Sequence, residues 1–510
     1  MIDFAAVQQA LDLLFGSFAP WMVVLPGLII GLVFGSIPGL QISMAMAIFL
    51  PITLHMDFVM SMLFLTAIFT GGSFGGGVTA ILMNIPGTSS ALSTAFDGYP
   101  MARQGKHNEA LGLALGSSTF GCGLGYIVLF CLIQPISVMV LKLGPAEMFA
   151  VTVWGLTLIA SLRGDHMSKG IVSGIFGLLL GTVGYNEMGI ARGTLDIDIL
   201  LDGIPAVPAM MGMFAASELF NLLNAKFIVE DEEQRKVSIP RVLSGFKKAL
   251  RHPMINSRGS LIGIIIGAVP GVGSSVSNLL SYMETKRRDK DPDSYGKGNP
   301  KGVMASESAN SSSEAGSMAT LLALGIPGGG ATAVMLAVFA MNNITGGPTF
   351  IREQTDVVYA IIFANFGQVF LLAFIGLLLI PMLAAVVKVP VRLLVPAVMS
   401  LAIFGSYGLT GSMSGPYTVL AFSILGYVMK KYNYSVPGLV IGILLGKMAE
   451  SELLHCYQIS GGQLSYVLSR PVTIGIILLL ILSIGYQPIL KMIKKRINGN
   501  RYPDDSSRAS

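Results

Sequence analysis

Two glycine ladders in apolar surroundings, each ending in Pro-Gly, constrain this chain more than any other feature. Gly27-x3-Gly31-x3-Gly35-x2-Pro38-Gly39 recurs as Gly259-x3-Gly263-x3-Gly267-x2-Pro270-Gly271, five matches at one offset of 232 residues. A second block follows in the same order, Ile85-Pro86-Gly87-Thr88 answered by Ile326-Pro327-Gly328-Gly329 at an offset of 241, and the nine extra residues fall in the polar stretch Lys286 to Lys301. Two pairs in one order point to an internal duplication. The ladders alone would only let helices approach closely. Pro-Gly does more, because proline lacks a donor and clashes with the preceding turn while glycine permits positive φ, so each pair interrupts a helix.

Whether those interruptions lie in a membrane is decided by composition. The chain has 510 residues, 53% hydrophobic and 12% charged, against about 25% charged in an average soluble chain. With a mean hydropathy of +0.70 and several apolar runs near 20 residues, it reads as an all-α polytopic membrane protein. Soluble enzymes and nucleic-acid binders are excluded, and the net charge of +5 reflects basic inter-helix loops and tail, not a nucleic-acid surface. Three cysteines, Cys122, Cys131 and Cys456, form no CxxC and no paired framework, and five scattered histidines form no ligand cluster. Residues 1–102 contain no Lys or Arg, so the basic n-region of a cleavable signal peptide is missing.

Broken backbone at membrane depth is tolerated only inside protein or beside a wet cavity, and matched interruptions in two halves mark a transporter's substrate site. We therefore expect two pairs of broken or re-entrant helical hairpins, 20–54 with 259–285 and 73–100 with 326–350. Spans are expected near 56–72, 109–135, 145–162, 168–186 and 203–224, then 303–323, 355–385, 392–410, 414–429, 434–450 and 470–490, giving 11 or 12 with the N-terminal segment. This scheme leaves Lys142, Arg192, Arg352, Lys447 and Arg470 outside and the other 28 of 33 basic residues inside, as the positive-inside rule asks. The odd number of crossings in the first half inverts the second repeat relative to it. The domain division is then 1–19 as an interfacial or additional helix, 20–224 as the first repeat, 225–258 as a cytoplasmic linker with an amphipathic helix near Ile239 to Leu250, 259–490 as the second repeat and 491–510 as a basic, polar tail.

The interruptions carry small polar residues where a new helix would begin. Pro38, Gly39 and Ser43, then Pro86, Gly87, Thr88 and Ser89, then Pro270, Gly271, Gly273 and Ser274, and finally Pro327, Gly328, Gly329 and Thr332 are the candidate substrate-binding residues. A helix N-terminus presents free N–H groups and about half a positive charge, each end contributing about 0.3–2 kcal/mol to anion binding. Several ends together would hold a carboxylate without arginine. The alternative is that they are flexible breaks or tight packing points. Glu307 and Asn310, at the entrance of the 303–323 span, and Asn84, just before Pro86, are the candidate coupling-cation ligands, for Na⁺ or a proton. Glu314 shares the first of these neighbourhoods. Asp97, followed by Gly98 and Pro100, reads as turn chemistry near the cytoplasmic surface.

Taken with Gly71-Gly72-Ser73, the run Asp97-Gly98-Tyr99-Pro100-Met101-Ala102-Arg103-Gln104-Gly105, the segment Ser306-Glu307-Ser308-Ala309-Asn310 and Leu324-Gly325-Ile326-Pro327-Gly328, these motifs closely resemble the large membrane subunit of the tripartite tricarboxylate transporters, the TctA family. The likeness covers about 20–490. One departure stands out: Ser311 follows Asn310 where the family commonly shows paired asparagines. The resemblance implies a bacterial inner-membrane permease that takes up a di- or tricarboxylate such as citrate on a cation gradient. It implies a small four-helix membrane partner (TctB-like), a periplasmic solute-binding protein (TctC-like), an elevator-like motion in the lipid bilayer and, for the complex, a homodimer. No cofactor beyond Na⁺ as coupling ion and no enzymatic activity are expected.

Overall fold

The computed structural model describes residues 3–480 apart from 38–39, 85, 141–143, 151, 154–166, 186–189, 217–236, 271–272, 387–390, 462, 464–465, 467–468 and 479. Much of the expected spans 145–162, 203–224 and 470–490, and all of the tail, lies outside the described residues. The described residues are helical apart from their connections and one antiparallel pair of two-residue strands, Gly184–Tyr185 with Ala191–Arg192.

Chain entry is a bent pair. Asp3 caps α1 (Phe4–Phe15) by accepting from the N–H groups of Ala5 and Ala6, and α2 (Ala19–Gly35) departs at 72°. Trp21 Nε1 bridges back to the Leu14 carbonyl at 2.9 Å, and together the pair is long and apolar enough for one broken span. After Ser36 the chain resumes as α3 (Ile42–Phe49).

Asp57 then caps α4 (Phe58–Met83), which corrects the expected boundary: the helix does not stop near 72 but continues through Ser73 for about three more turns. Gly71, Gly72 and Gly75 to Gly77 do not interrupt it, although each glycine costs about 1 kcal/mol in a helix interior. Their missing side chains are what allows α2 to lie directly on α4. A Cβ on Gly71 would fall on the Leu28 carbonyl, and one on Gly75 on the Leu32 carbonyl. The interruption comes at Asn84, whose φ of 57° ends the helix in the left-handed region. Beyond it, α5 (Leu92–Arg103) carries Asp97 and Pro100 inside a helix, so this stretch is not the turn expected from Asp-Gly and Pro.

The rest follows in order: α6 (His107–Val140), α7 (Met167–Gly181), α8 (Ile239–Leu250), α9 (Pro253–Gly267), α10 (Gly273–Arg288), α11 (Pro300–Leu324), α12 (Gly330–Met341), α13 (Thr355–Val386), α14 (Val391–Thr410), α15 (Ser414–Lys431) and α16 (Val436–Ile459). Among the described residues three helices are long and apolar enough to span a membrane, over Phe58–Leu82, His107–Ile136 and Thr355–Ala384, or four with the bent α1–α2 pair. The first is 83% buried and the other two 39% each, which places α4 inside the protein and leaves α6 and α13 with outward apolar faces. Inside the expected linker, α8 lays Val242, Gly245 and Ala249 on α6 at Gly112 and Gly116. Lys248 pairs with Glu109 at 2.6 Å beside that seam.

The two glycine ladders do the same thing. Gly27, Gly31 and Gly35 of α2 sit against Phe64, Ile68 and Gly72 of α4; Gly259, Gly263 and Gly267 of α9 sit against Ala305, Ala309 and Ser313 of α11. In return Gly75 lies on Leu32 and Ser36, and Gly316 on Ile264 and Ala268. Every one of these contacts maps onto its partner by adding 232 in the ladder helix and 241 in the long helix. The two long helices then cross each other. Thr70 meets Glu314, Ser73 meets Asn310 and Gly77 meets Glu307, so α4 and α11 run antiparallel through the centre.

Candidate functional site

Each long helix ends in a left-handed residue, Asn84 in α4 and Gly325 in α11, and the chain then turns through Pro-Gly into a new helix. Gly87 N–H donates to the Gly76 carbonyl at 3.2 Å, and a Cβ on Gly87 would strike the Gly35 carbonyl. Only glycine lets the second interruption lie on the end of the first. At the equivalent place Gly328 lies on Ser317, whose hydroxyl donates to the Gly267 carbonyl at 3.1 Å, while Thr320 donates to the Ala268 carbonyl at 2.7 Å.

The first-half tip is closed by side chains from elsewhere. Thr88 and Ser90 share a hydrogen bond of 2.9 Å, and the N–H and hydroxyl of exposed Ser89 both lie 3.4 Å from Gln41 Oε1, at the start of α3. Asn278 of α10 donates to the Ser90 carbonyl and leaves its own Oδ1 buried without a partner. The starts of α3 and of the turn Ser89–Ala91 thereby meet the second turn of α10, and α12 packs on α3. None of the helix starts at Gln41, Thr88 and Gly329 makes a side-chain cap from its own N-cap residue. Gly329 N–H donates to Thr332 Oγ1 at 3.0 Å, so the Thr332 hydroxyl serves its own helix start.

Of the sequence candidates, Pro38, Gly39 and Gly271 lie outside the described residues. Pro270 is buried just beyond α9, Gly273 and Ser274 open α10, and Ser43 is buried within α3. Pro86 is half-buried, while Gly87, Thr88, Pro327 and Gly328 are buried. Gln41 and Asn278 were missed by sequence reasoning, whereas Ser90 belongs to the polar tip Gly87-Thr88-Ser89-Ser90 that the sequence displays. Gln41 did carry a signal, a polar residue directly after Pro38-Gly39-Leu40 in an apolar stretch; Asn278, one polar residue among many in its helix, carried none.

The polar centre lies along α11. Glu307 is not at a helix entrance, as its sequence position suggested, but fully buried two turns inside. Its Oε1 accepts from Thr94 at 2.6 Å and its Oε2 from Ser118 at 2.9 Å. One turn on, Asn310 Nδ2 donates to the Ser73 carbonyl at 2.9 Å and its Oδ1 is buried without a partner. Glu307 and Asn310 thus share one face toward α4, whereas exposed Asn84 caps α4 seven residues, about 10 Å, beyond the Gly77 level at which Glu307 sits. Asn84 is separate from this centre.

Toward the end of α11 that starts at Pro300, Asp97 is also buried. Its Oδ1 accepts from the backbone N–H groups of Gly296, Gly298 and Asn299 at 2.8–2.9 Å, which fixes the α10–α11 connection on α5. In the same connection Lys301 and Tyr295 both bond Asp289, and the Lys301 ammonium holds its carboxyl down at about 2.

Comparison with known proteins identifies the family. The profile of the family described as "Tripartite tricarboxylate transporter TctA family" matches residues 21–441. An uncharacterized 52.8 kDa protein in the TAR-I ttuC' 3'region of Agrobacterium vitis is 33% identical over 458 residues, 88% of this chain and 89% of that protein. An uncharacterized protein in the TAR-II ttuC' 3'region of the same organism is 30% identical over 215 residues, 42% of this chain and 89% of the relative. No solved structure matches. The matched family is that of a multi-pass membrane transporter's large subunit in a tripartite system, not of an enzyme. On the profile match and the near full-length relative, this chain belongs to the tripartite tricarboxylate transporter TctA family.

Proposed function

We propose that the chain is the permease subunit of a binding-protein-dependent secondary transporter in a bacterial inner membrane, importing a di- or tricarboxylate such as citrate. The observation that carries this reading is the meeting of two helix starts, at Gln41 and Thr88, that have no side-chain cap of their own, with Ser89 against Gln41 and Asn278 against Ser90 beside them. Free N–H groups and the positive ends of helix dipoles suit a carboxylate. Pro38, Gly39, Ser43, Pro86, Gly87, Thr88, Ser89, Pro270, Gly271, Gly273, Ser274, Pro327, Gly328, Gly329 and Thr332 form or shape this region in our reading.

The drive is a cation gradient, Na⁺ or H⁺, acting at the Glu307–Asn310 face, with Asn84 as a further ligand only if α4 shifts. An inverted duplication of 11 or 12 spans is supported by the paired offsets and by the antiparallel crossing of α4 and α11. Equivalent membrane helices related by a two-fold axis in the membrane plane must run in opposite directions. The tip-to-tip contacts favour motion of both hairpin pairs as one body, the elevator mode. A TctB-like four-helix subunit, a TctC-like periplasmic binding protein and a homodimer of the complex complete the proposal.

Radiolabelled citrate uptake into proteoliposomes containing the three subunits, with sodium and pH gradients imposed separately, tests it. Accumulation should need the binding protein and collapse with one gradient, and Ser89→Trp, at an exposed position of the same tip, should insert normally yet fail to accumulate. Conductance without saturation would instead mean a passive pore, and accumulation that survives Ser89→Trp a scaffold role.

A further inference from the structure

We infer that Glu314 is a buried proton-binding site, distinct from the Glu307–Asn310 face, at which a proton from water bonds reversibly to the carboxylate oxygen Oε2. The inference deepens the transporter reading by naming the ion at a second position on α11, and only its role in transport rests on that reading.

Glu314 is fully buried near the middle of α11, where α4 and α6 close over it and α13 lies behind Thr70. Its two oxygens are treated very differently. Oε1 accepts from Thr70 Oγ1 and from Tyr126 OH, both at 2.7 Å. Oε2 is buried with no hydrogen-bond partner among the described residues. Thr70 also lies 3.4 Å from Gln368 Oε1, and Gln368 Nε2 reaches Thr66 Oγ1 at 3.2 Å, so the group continues across to α13 as neutral amides and hydroxyls. Glu307 differs, since a hydroxyl donates to each of its oxygens.

Among the described residues no cation answers the charge. None of the ion pairs found among the described residues includes Glu314. The titratable groups facing it are Tyr126 and Cys122 of α6, neutral at physiological pH in their ordinary ranges. α4 contains no ionisable side chain; α13 contributes Gln368 here, while its Asp356 and Tyr359 lie 12 and 9 residues earlier. Among the other helices on α11, α9 carries only Arg258, which is exposed, and α12 carries none. Asp97, Tyr99 and Arg103 of α5, and Tyr282, Glu284, Lys286, Arg287 and Arg288 of α10, lie toward the Glu307 end or beyond it. Arg352 and Glu353, in the short helix Pro348–Glu353, are exposed and paired with each other.

An unpaired anionic oxygen in such surroundings is far costlier than a neutral hydroxyl. Two donors on Oε1 leave Oε2 as the oxygen to which hydrogen bonds. A metal ion fits poorly: a hard cation asks for about six oxygens, and Thr70, Tyr126, Gln368 and Glu314 are all mid-helix, where backbone carbonyls are spent in the helical ladder. Backbone oxygens released from helices occur at the interruptions, not here. The proton is the one cation that needs a single oxygen.

Infrared spectroscopy of the full chain in lipid tests the assignment. At neutral pH the wild type should show a protonated-carboxyl C=O band that Glu314→Gln removes, Glu307→Gln keeps and added sodium leaves unchanged. A band that survives Glu314→Gln, that sodium abolishes at constant pH, or that is absent across the whole acid-to-alkaline range overturns the inference. Tyr126→Phe, which deletes one donor to the ionised form, should move the titration midpoint of the band to higher pH, and an unmoved midpoint also counts against it. In proteoliposomes, Glu314→Gln should lose the acceleration of citrate uptake by an inward proton gradient while retaining citrate counterflow. If the band behaves as stated and wild type accumulates no carboxylate, proton binding stands and the transporter reading falls. If wild type accumulates citrate and the band ignores Glu314→Gln, the transporter reading stands and this assignment falls.

Discussion

The α2–α4 pair and the α9–α11 pair are alike in packing and opposite in chemistry. At the crossing, Thr66, Phe69 and Ser73 of α4 stand where α11 has Glu307, Asn310 and Glu314, one offset of 241 residues apart. By composition α4 is apolar enough to cross a membrane, whereas α11 is not among the described helices that are. Shared glycine contacts and divergent side chains teach that helix approach is demanded of both pairs while ionisable groups are demanded of one. Buried carboxylates so close together would repel, and a single copy avoids that.

The most severe way to break the comparison is to fill a ladder. Gly31→Leu and Gly263→Leu each drive a side chain into a facing backbone carbonyl, and both should cost about 3 kcal/mol or more. Both variants should lose the monodisperse peak on size exclusion in detergent, whereas Gly123→Ala, with only Val369 at 3.6 Å, should keep it. Tolerance in one ladder and not the other would end the claim of equivalent packing.

Next is the chemical asymmetry. Glu307→Ala strands the Thr94 and Ser118 hydroxyls and should lower stability by about 1–3 kcal/mol, with loss of uptake. Thr66→Ala, its counterpart, should cost less than about 1 kcal/mol and keep uptake, as read by thermal unfolding and transport side by side. Asp97→Asn removes the charge that three amides address and should cost about 1–2 kcal/mol. Faster tryptic cleavage at exposed Lys297 would report the released connection, and an unchanged rate would argue against the clamp.

The smallest effect is acidic. Asp289 titrates lower in the folded protein, near 2, than its ordinary value near 4, so the pairing stabilises above about pH 4 and is lost as pH falls toward 2. Because the Lys301 side chain is 44% exposed, the contribution should stay below about 1 kcal/mol. Lys301→Met should flatten that part of the unfolding temperature against pH and leave neutral behaviour unchanged.

Much of this architecture was legible because glycine and proline act through backbone geometry. The ladders at 27–39 and 259–271 announced two close helix pairs, and the Pro-Gly at 86–87 and 327–328 announced where helices restart. Helix length was less legible: α4 runs past Ser73 because its glycines are covered by α2, a tertiary gain that local propensity does not carry. Asp97 read as a turn for the same reason, since its partners arrive from 296–299, far along the chain. Glu307 and Asn310 stood out as polar residues on an apolar background, while Thr94, Ser118, Thr70, Tyr126 and Gln368 are ordinary until the fold assembles them.

Those long separations set a schedule for biosynthesis. Asp97 emerges 199 residues before the first amide that will bind it, and Thr94 213 residues before Glu307. At about 5–20 residues per second, the first half waits roughly 10–40 s in the bilayer with these groups unmatched. Nascent first halves are therefore natural clients for membrane chaperones, and a ribosome stalled near the midpoint should leave a product marked for proteolysis.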